Sequence, residues 1–516
     1  MLKKDLVFTN PRRALRYGTA LVMAASVAAV ATVAGTAQAG PTKGGTLTVG
    51  LETDVRGFDT VKGGVYGISG RTVAGALEEP LIMVTPDHKY VPHLATSWKN
   101  SDDGLTWTVK LRKGVKYHDG SDFESSDVAA HYNRILDPKN KSRSRGFMST
   151  IKGAEAVDDH TVRFTLKHPW QAFLPALAGR DMGGLMESQE QTASGKQNRS
   201  PVGTGPFIFQ EWRGGDRIIV TKNPNYWDKD KIHLDKIIYR ILPDTQTRFA
   251  SLMSGDIDVI WTDRANSIHQ AEKDKRVNVY KQDGGGSGLL LFNASAPPLD
   301  SKLVRNAVRH ALSQEITNKV LWKGTRYFAA HPMPFKCAGD VSYPKHDMAK
   351  AKALVAEYGK PIALEYMHTT TPRGKELGEI AQQLLKKAGM KVTLVPVDQS
   401  ILVKRVFTNK YMISGWRVAD ALDVGPQLFA LSYSKSPYNI TRLKLPNLDK
   451  LAMGMRTAKT MEGRQKLQCD LVSMINQNGN MAFGPGNRYH IVMQPNIKGM
   501  RGFTMGTAYV WYLSKD

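Results

Sequence analysis

Residues 362–397 read IALEYMHTTTPRGKELGEIAQQLLKKAGMKVTLVPV. Ile362 to Met367 is an apolar run of strand length. Leu377, Ile380, Ala381, Leu384, Leu385 and Ala388 then recur at the spacing that places them on one face of a helix. Gly389 offers the left-handed stop that ends helices, and Val392, Leu394 and Val397 mark a return strand. Strand, helix and strand in immediate succession predict a β-α-β crossover and hence a parallel sheet.

The same alternation continues outward from this unit and makes the chain an α/β protein. A second amphipathic helix starts near Lys302, with Leu303, Val304, Ala307, Val308, Ala311 and Leu312 in phase and Asp300 or Ser301 placed to cap it. Thr245 to Ser254 reads as a helix that ends at Gly255 before a strand, Ile257 to Trp261. The first strand is Gly45 to Gly50. Thr106 to Tyr117 reads as a two-strand stretch, bracketed by the turn formers Asp102-Asp103-Gly104 and Asp119-Gly120. Two glycine-rich passages look like crossings between domains. One is Gly284-Gly-Gly-Ser-Gly288, running into Leu289-Leu-Leu-Phe292; the other is Phe483-Gly-Pro-Gly486, before the strand Tyr489 to Met493. A chain of 516 residues exceeds one core, so two or three domains are expected.

The ends and totals restrict function. Lys3, Lys4, Arg12, Arg13 and Arg16 precede an uncharged Ala/Val-rich run that closes on Ala37-Gln38-Ala39, so residues 1–39 are expected to be a cleaved export signal. Sec and twin-arginine export both remain open. The net charge is +24, but Lys and Arg are mixed with acids along the whole chain, so nucleic acid is not the expected partner. The only cysteines, Cys337 and Cys469, can pair in an oxidising compartment, and their spacing does not decide it. No Gly-x-Ser-x-Gly elbow, P-loop, dinucleotide fingerprint or His-Glu-x-x-His occurs, so neither catalysis nor a cofactor is expected.

Several motifs in order carry a family resemblance. They are Leu94-Ala-Thr-Ser-Trp98, Asp103-Gly-Leu-Thr-Trp107, Leu111-Arg-Lys-Gly-Val115, Tyr117-His-Asp-Gly120, Gly203-Thr-Gly-Pro-Phe207, Asn223-Pro-Asn-Tyr-Trp227, Gly255-Asp-Ile-Asp-Val259 and Val304-Arg-Asn-Ala-Val308. Together they resemble the peptide/nickel class (family 5) of extracellular solute-binding proteins that serve ABC importers. The resemblance implies the two-lobed periplasmic binding protein fold of the large class, hinged by two crossover strands. Lobe I would comprise 40–285, with an inserted subdomain at roughly 66–200, and the return 486–516; lobe II would be 286–485. It also implies a soluble, monomeric periplasmic protein, with an ABC permease and its ATPase as partners.

Individually, these motifs read as turns and packed corners. Ligand contacts are expected elsewhere, first in Gly415-Trp-Arg-Val-Ala-Asp-Ala-Leu-Asp423. By resemblance, Asp420 pairs with a ligand ammonium, with Asp423 as the second acid of the pattern; Asp420 capping a turn is the plainer reading. The family spacing has Asp three residues after the Trp and a Pro after the second Asp, whereas here the gap is four and Val424 follows. Trp416 offers a ring face or packs in lobe II, and Arg417 meets a carboxylate or stays in solvent. Tyr66, Asn293 and Arg488 are further cleft candidates, with loop or hinge packing as the alternative. Dipeptide binders carry a clamping Arg after a lobe II strand; His368-Thr-Thr-Thr-Pro372 has none before Arg373. The expected ligand is a peptide or peptide-like molecule. A nickel chelate, glutathione, an opine or an oligosaccharide in the same fold is the alternative, and an exported chaperone-like or adhesion protein is the rival class.

Overall fold

A computed structural model describes residues 42–516 except 64, 66, 86–88, 172, 180–182, 332–336, 338–340, 342, 419–422, 437–438, 501–502 and 505. Residues Pro41–Asp516 form one compact unit. Its spine is a ten-stranded mixed sheet, in the order 391–397, 363–369, 413–418, 278–292, 481–493, 259–262, 46–51, 236–241, 217–222 and 207–213. The β-α-β unit is present as read. Ala363–Thr369 and Lys391–Val397 pair in parallel around the helix Pro372–Lys387. That helix starts where the Gly374 amide donates to Thr371 Oγ1 at 3.1 Å, with Pro372 in the first turn, where its missing N–H costs nothing. Ala381, Leu384 and Leu385 are its buried face.

The two central strands, Asn278–Phe292 and Met481–Met493, run antiparallel through both halves of the sheet. Their upstream and downstream parts keep different company. His490 to Met493 pairs with the strand Val259–Thr262, whereas Ser287 to Phe292 pairs with Ile413–Val418. The register slips between Asp283 and Ser287 and again before Leu289, at the glycine run. Glycine is required opposite as well, because a Cβ on Gly486 would enter the Tyr327 ring.

Besides a small one around Phe249, Leu252 and Val492, four apolar cores follow this division. One gathers Leu47, Val49, Phe207, Ile237 and Tyr239 with the C-terminal Trp511; two others lie around Leu289, Leu428, Leu471 and Phe483, and around Val304, Tyr366, Leu385 and Ile413. The fourth belongs to a separate antiparallel sheet of strands 95–100, 106–111, 161–166 and 151–158, where Trp107 stacks on Phe173 with centroids 5.1 Å apart. The stretch expected to hold two strands holds one, Thr106–Leu111. Gly114, at φ +71°, turns the chain out of the ladder, and Tyr117 instead donates its amide to Ser121 O at 2.9 Å.

The family motifs are scaffold, and they converge on one buried carboxylate. Glu79 accepts from Tyr226 Oη at 2.7 Å, Trp227 Nε1 at 3.2 Å and Thr204 Oγ1 at 2.9 Å, and lies 2.7 Å from His93 Nε2. Burial pushes this carboxyl up, but His93 and the hydroxyl donors outweigh it and hold it below the usual range. Its neighbour Glu78 lacks a cation. Burial, then Glu187, push its carboxyl well above the usual range, and among the described residues only Gln197 Nε2 meets it, at 2.7 Å on Oε1.

A raised carboxyl pKa means that the folded state holds the proton more tightly than the unfolded chain. The resulting stability is complete below the unfolded value and is lost as pH rises through the folded one. Glu78→Gln, neutral at every pH, is therefore expected to gain on the wild type as pH rises from 4.5, with up to about 1.4 kcal/mol per pH unit removed from the slope. Urea midpoints from pH 4.5 to 9 check this; parallel wild-type and variant profiles would show that Glu78 is already ionised.

Candidate functional site

The registers define where a ligand can sit. The strands Thr46–Leu51 and Val259–Thr262 run toward residue 490 of the second central strand. Ile413–Val418 runs toward Ser287 of the first, and Ala363–Thr369 runs parallel to it. The C-terminal ends of both strand sets thus meet at the glycine seam, the end of an α/β sheet at which ligands are held. The segments that follow three of these strands, beginning at Glu52, Asp263 and Thr370, border the seam.

On one side a small recess of about 20 Å³ lies among Leu51, Glu52, Ser69, Thr72 and Trp261. Its wall is largely apolar. Glu52 stands at it with a carboxyl pushed up by burial and by Asp263, against the opposing pull of Arg248 and Arg264. Trp261 Nε1 is buried with no hydrogen-bond partner among the described residues, so the recess contains one unspent donor. A recess of that size holds about one water molecule.

The other half contributes Trp416, half-buried, its ring edge-on to Phe407 at 6.2 Å and packed on the core around Leu289. Tyr66 and Asp420 lie outside the described residues, as does the side chain of Arg417. Asp423 is described, and its carboxylate is consumed internally. Oδ2 accepts from Arg464 Nη2 at 2.7 Å, and Oδ1 from Gln468 Nε2 at 2.7 Å and the Gly425 amide at 2.9 Å. It ties the start of the helix Gly425–Ser432 to the helix Met461–Asn478.

Arg488 lies at the seam but is held by Asp283, its register partner on the facing strand, through Nε at 2.5 Å and Nη2 at 3.1 Å. Asn293 is misplaced by the cleft expectation. It is 1% exposed, with Nδ2 donating to Tyr411 O at 2.8 Å and Oδ1 accepting from Ser295. The first central strand runs unbroken to Phe292, which carries Asn293 six residues past Ser287, about 20 Å from the seam at about 3.3 Å per residue.

The sequence reading passed over Glu52 and Trp261. Each sits at or just beyond a strand end, and the topology, once assigned, is the signal that finds them. The two halves also touch away from the seam. Arg456 hydrogen-bonds His168, and burial, then Asp423, push the Tyr90 hydroxyl up.

The fold and seam define a ligand-binding protein of two halves joined by two strands. Residues 89–439 match the model of bacterial extracellular solute-binding proteins, family 5 Middle, and the chain belongs to that family. Among curated relatives, heme-binding protein A of Haemophilus influenzae is 30% identical over 360 residues, 63% of this chain and 65% of that protein. The glutathione-binding protein GsiB of Pectobacterium atrosepticum is 29% identical over 451 residues, 84% of this chain and 87% of the relative. In fold, the chain resembles the periplasmic binding protein DppA of Helicobacter pylori in complex with the peptide STSA, at a TM-score of 0.74 and 24% identity, covering 92% of this chain and 98% of that one. Among the described residues, no helix is long and apolar enough to cross a membrane.

Proposed function

We propose that this protein is the periplasmic solute-binding component of an ABC importer, and that it captures a peptide or peptide-like ligand at the seam and hands it to the permease. The observation that carries this reading is the convergence of strand ends from both halves on a register break, with Glu52 on one side and Trp416, near the end of the strand Ile413–Val418, on the other. In this reading lobe I is 40–285 with 486–516, lobe II is 286–485, residues 1–39 are removed on export, and the protein has no chemistry of its own. Ligand contacts shared between lobes favour the closed form by mass action. Asp420 takes the ligand ammonium, with Trp416, Arg417 and Tyr66 beside it; a buried carboxylate tolerates desolvation only when a cation meets it. A glutathione-binding relative adds weight to a peptide-like ligand.

The test is a thermal-shift screen of residues 40–516 against short peptides, glutathione, opines, sugars and nickel–histidine. A ligand at 100 times its Kd adds about 2.7 kcal/mol. Peptides with a free α-amine should shift the midpoint, and Asp420→Asn should abolish the shift. A response confined to acetylated peptides, sugars or metal complexes refutes the peptide reading and the Asp420 role.

A further inference from the structure

Away from the glycine seam the two halves meet at polar contacts on two flanks, and each contact contains an imidazole. On one flank His168 follows the strand Thr161–Leu166 of the four-stranded sheet, and Arg456 stands in the last turn of the helix Pro446–Thr457. Leu448, Ala452 and Met455 bury one side of that helix in the core around Leu428, and Arg456 is set beside them, half-buried at the boundary. Its Nη2 hydrogen-bonds His168 Nε2. The guanidinium carbon lies 4.9 Å from the Phe429 centroid, where stacking orients it. On the other flank His269, on the helix Ala265–Lys273, has Nε2 2.9 Å from Lys323 O, in the turn after the helix Gln314–Trp322. Its Nδ1 lies 3.2 Å from Glu272 Oε2.

The two contacts need opposite protonation states. A guanidinium has donors and no acceptor, so the His168 nitrogen that it touches must present a lone pair. That ring is therefore neutral, with its proton on Nδ1. A second proton would set N–H against N–H and one cation against another. Burial, then Arg456, push the His168 pKa below its ordinary value; backbone groups at His168 and Pro169 pull the other way, and Lys167 adds to the push. Burial pushes Arg456 down as well, against the Tyr433 phenol. Further along the same boundary Tyr90 faces Asp423 and Arg464, which pair with each other at 2.7 Å. His269 instead has a carbonyl at one nitrogen and a carboxylate at the other, the carboxylate shared with Lys281. Both accept, so the doubly protonated ring serves that contact best.

We propose that His168 and Arg456 form a pH-sensitive clasp between the two halves, closed while the imidazole is neutral and released when it takes up a proton. The proposal rests on a protein that closes around its ligand, and not on which ligand that is. The clasp excludes the second proton, so the open form binds it more tightly and acid favours opening. Release begins as pH falls through about 6.5, the value of an unpaired imidazole, and shifts the closed-to-open ratio by at most about tenfold per pH unit. Ligand affinity then falls in acid without any titrating group at the ligand, because fewer molecules are competent to close. Acid strengthens the His269 contact, so the sign of the response separates the two.

Small-angle X-ray scattering of unliganded residues 40–516 from pH 7.5 to 5 tests the clasp, with His168→Gln, Arg456→Met and His269→Gln alongside. Glutamine keeps an acceptor for the guanidinium at every pH. Methionine keeps much of the length of arginine and drops its donors. The wild type should expand below about pH 6.5. His168→Gln should stay compact throughout, Arg456→Met should be expanded already at pH 7.5 and indifferent to acid, and His269→Gln should still expand in acid. Melting points at pH 7.5 report folding, and His168→Gln carries the test alone if Arg456→Met does not fold.

A wild-type radius that does not change with pH overturns the clasp. A His168→Gln profile that follows the wild type does so too, because the titrating group then lies elsewhere. A folded Arg456→Met that is as compact as the wild type at pH 7.5 also overturns it. None of these outcomes touches the peptide reading, because no ligand is present. An intact pH response, together with no response to any peptide in the thermal-shift screen, leaves the clasp standing and removes the peptide reading.

Discussion

Arg464→Met should destabilise the protein by about 3–5 kcal/mol, a large effect for one residue. Arg464 is 2% exposed, on the helix Met461–Asn478. Its Nη2 meets Asp423 and its Nη1 donates to Met455 O at 2.6 Å, so one guanidinium ties two segments together. Methionine fills the same space without a charge. Asp423 would then be a buried anion supported only by Gln468 and an amide, and it should take up a proton instead.

The deficit should therefore shrink as pH falls toward 4, because protonation removes the unpaired charge. Asp423→Asn combined with Arg464→Met should recover much of the loss, since two neutral groups leave nothing uncompensated. Urea midpoints of the three variants at pH 4.5 and 7.5 decide it. A double variant no better than Arg464→Met alone would show that packing, rather than charge, is at stake. Because Asp423 lies three residues from Asp420, the proposed ammonium contact, the single variant should also lose ligand affinity, while the double variant keeps part of it.

What the sequence revealed depended on how local the physics was. The 362–397 unit was legible because helix periodicity, a capping Thr371 and a terminating Gly389 all act within a few residues, and the register of Ala363–Thr369 on Lys391–Val397 follows from them. The glycine crossings were legible for the same reason. Asp423 was not. From the sequence it is the second acid of a ligand motif, but its partner lies 41 residues away on another helix, and nothing local marks that pairing. Asn293 was misplaced because strand length, rather than the position of the glycines, sets how far the chain travels before it turns. Pairing over long separations, which only tertiary packing fixes, is what separates the elements that could be read from the site that could not.

Breaking the Cys337–Cys469 disulfide should also cost stability, by about 4–5 kcal/mol if native strain is absent, and less to the extent that the reduced chain retains structure. The bond closes a loop with a sequence separation of 132 residues, and the entropy removed from the unfolded chain grows with the logarithm of that length. It links the segment before Tyr343, whose hydroxyl bonds the Phe483 backbone at 3.0 Å, to the same helix that carries Arg464. The loss should appear as a lower urea midpoint in Cys337→Ala with Cys469→Ala, matched by reduction of the wild type. Binding at the seam should change little, because both sulfurs pack on the core around Leu428 and Leu471, so ligand should still raise the midpoint of the double variant by the wild-type increment. An unchanged midpoint would mean that the reduced chain is as constrained as the oxidised one. A lost ligand increment would mean that this bond holds the two halves in register as well as stabilising one of them. Such a bond persists in an oxidising compartment and not in a reducing one, so a large midpoint difference would also support the proposed site of action outside the cytoplasm.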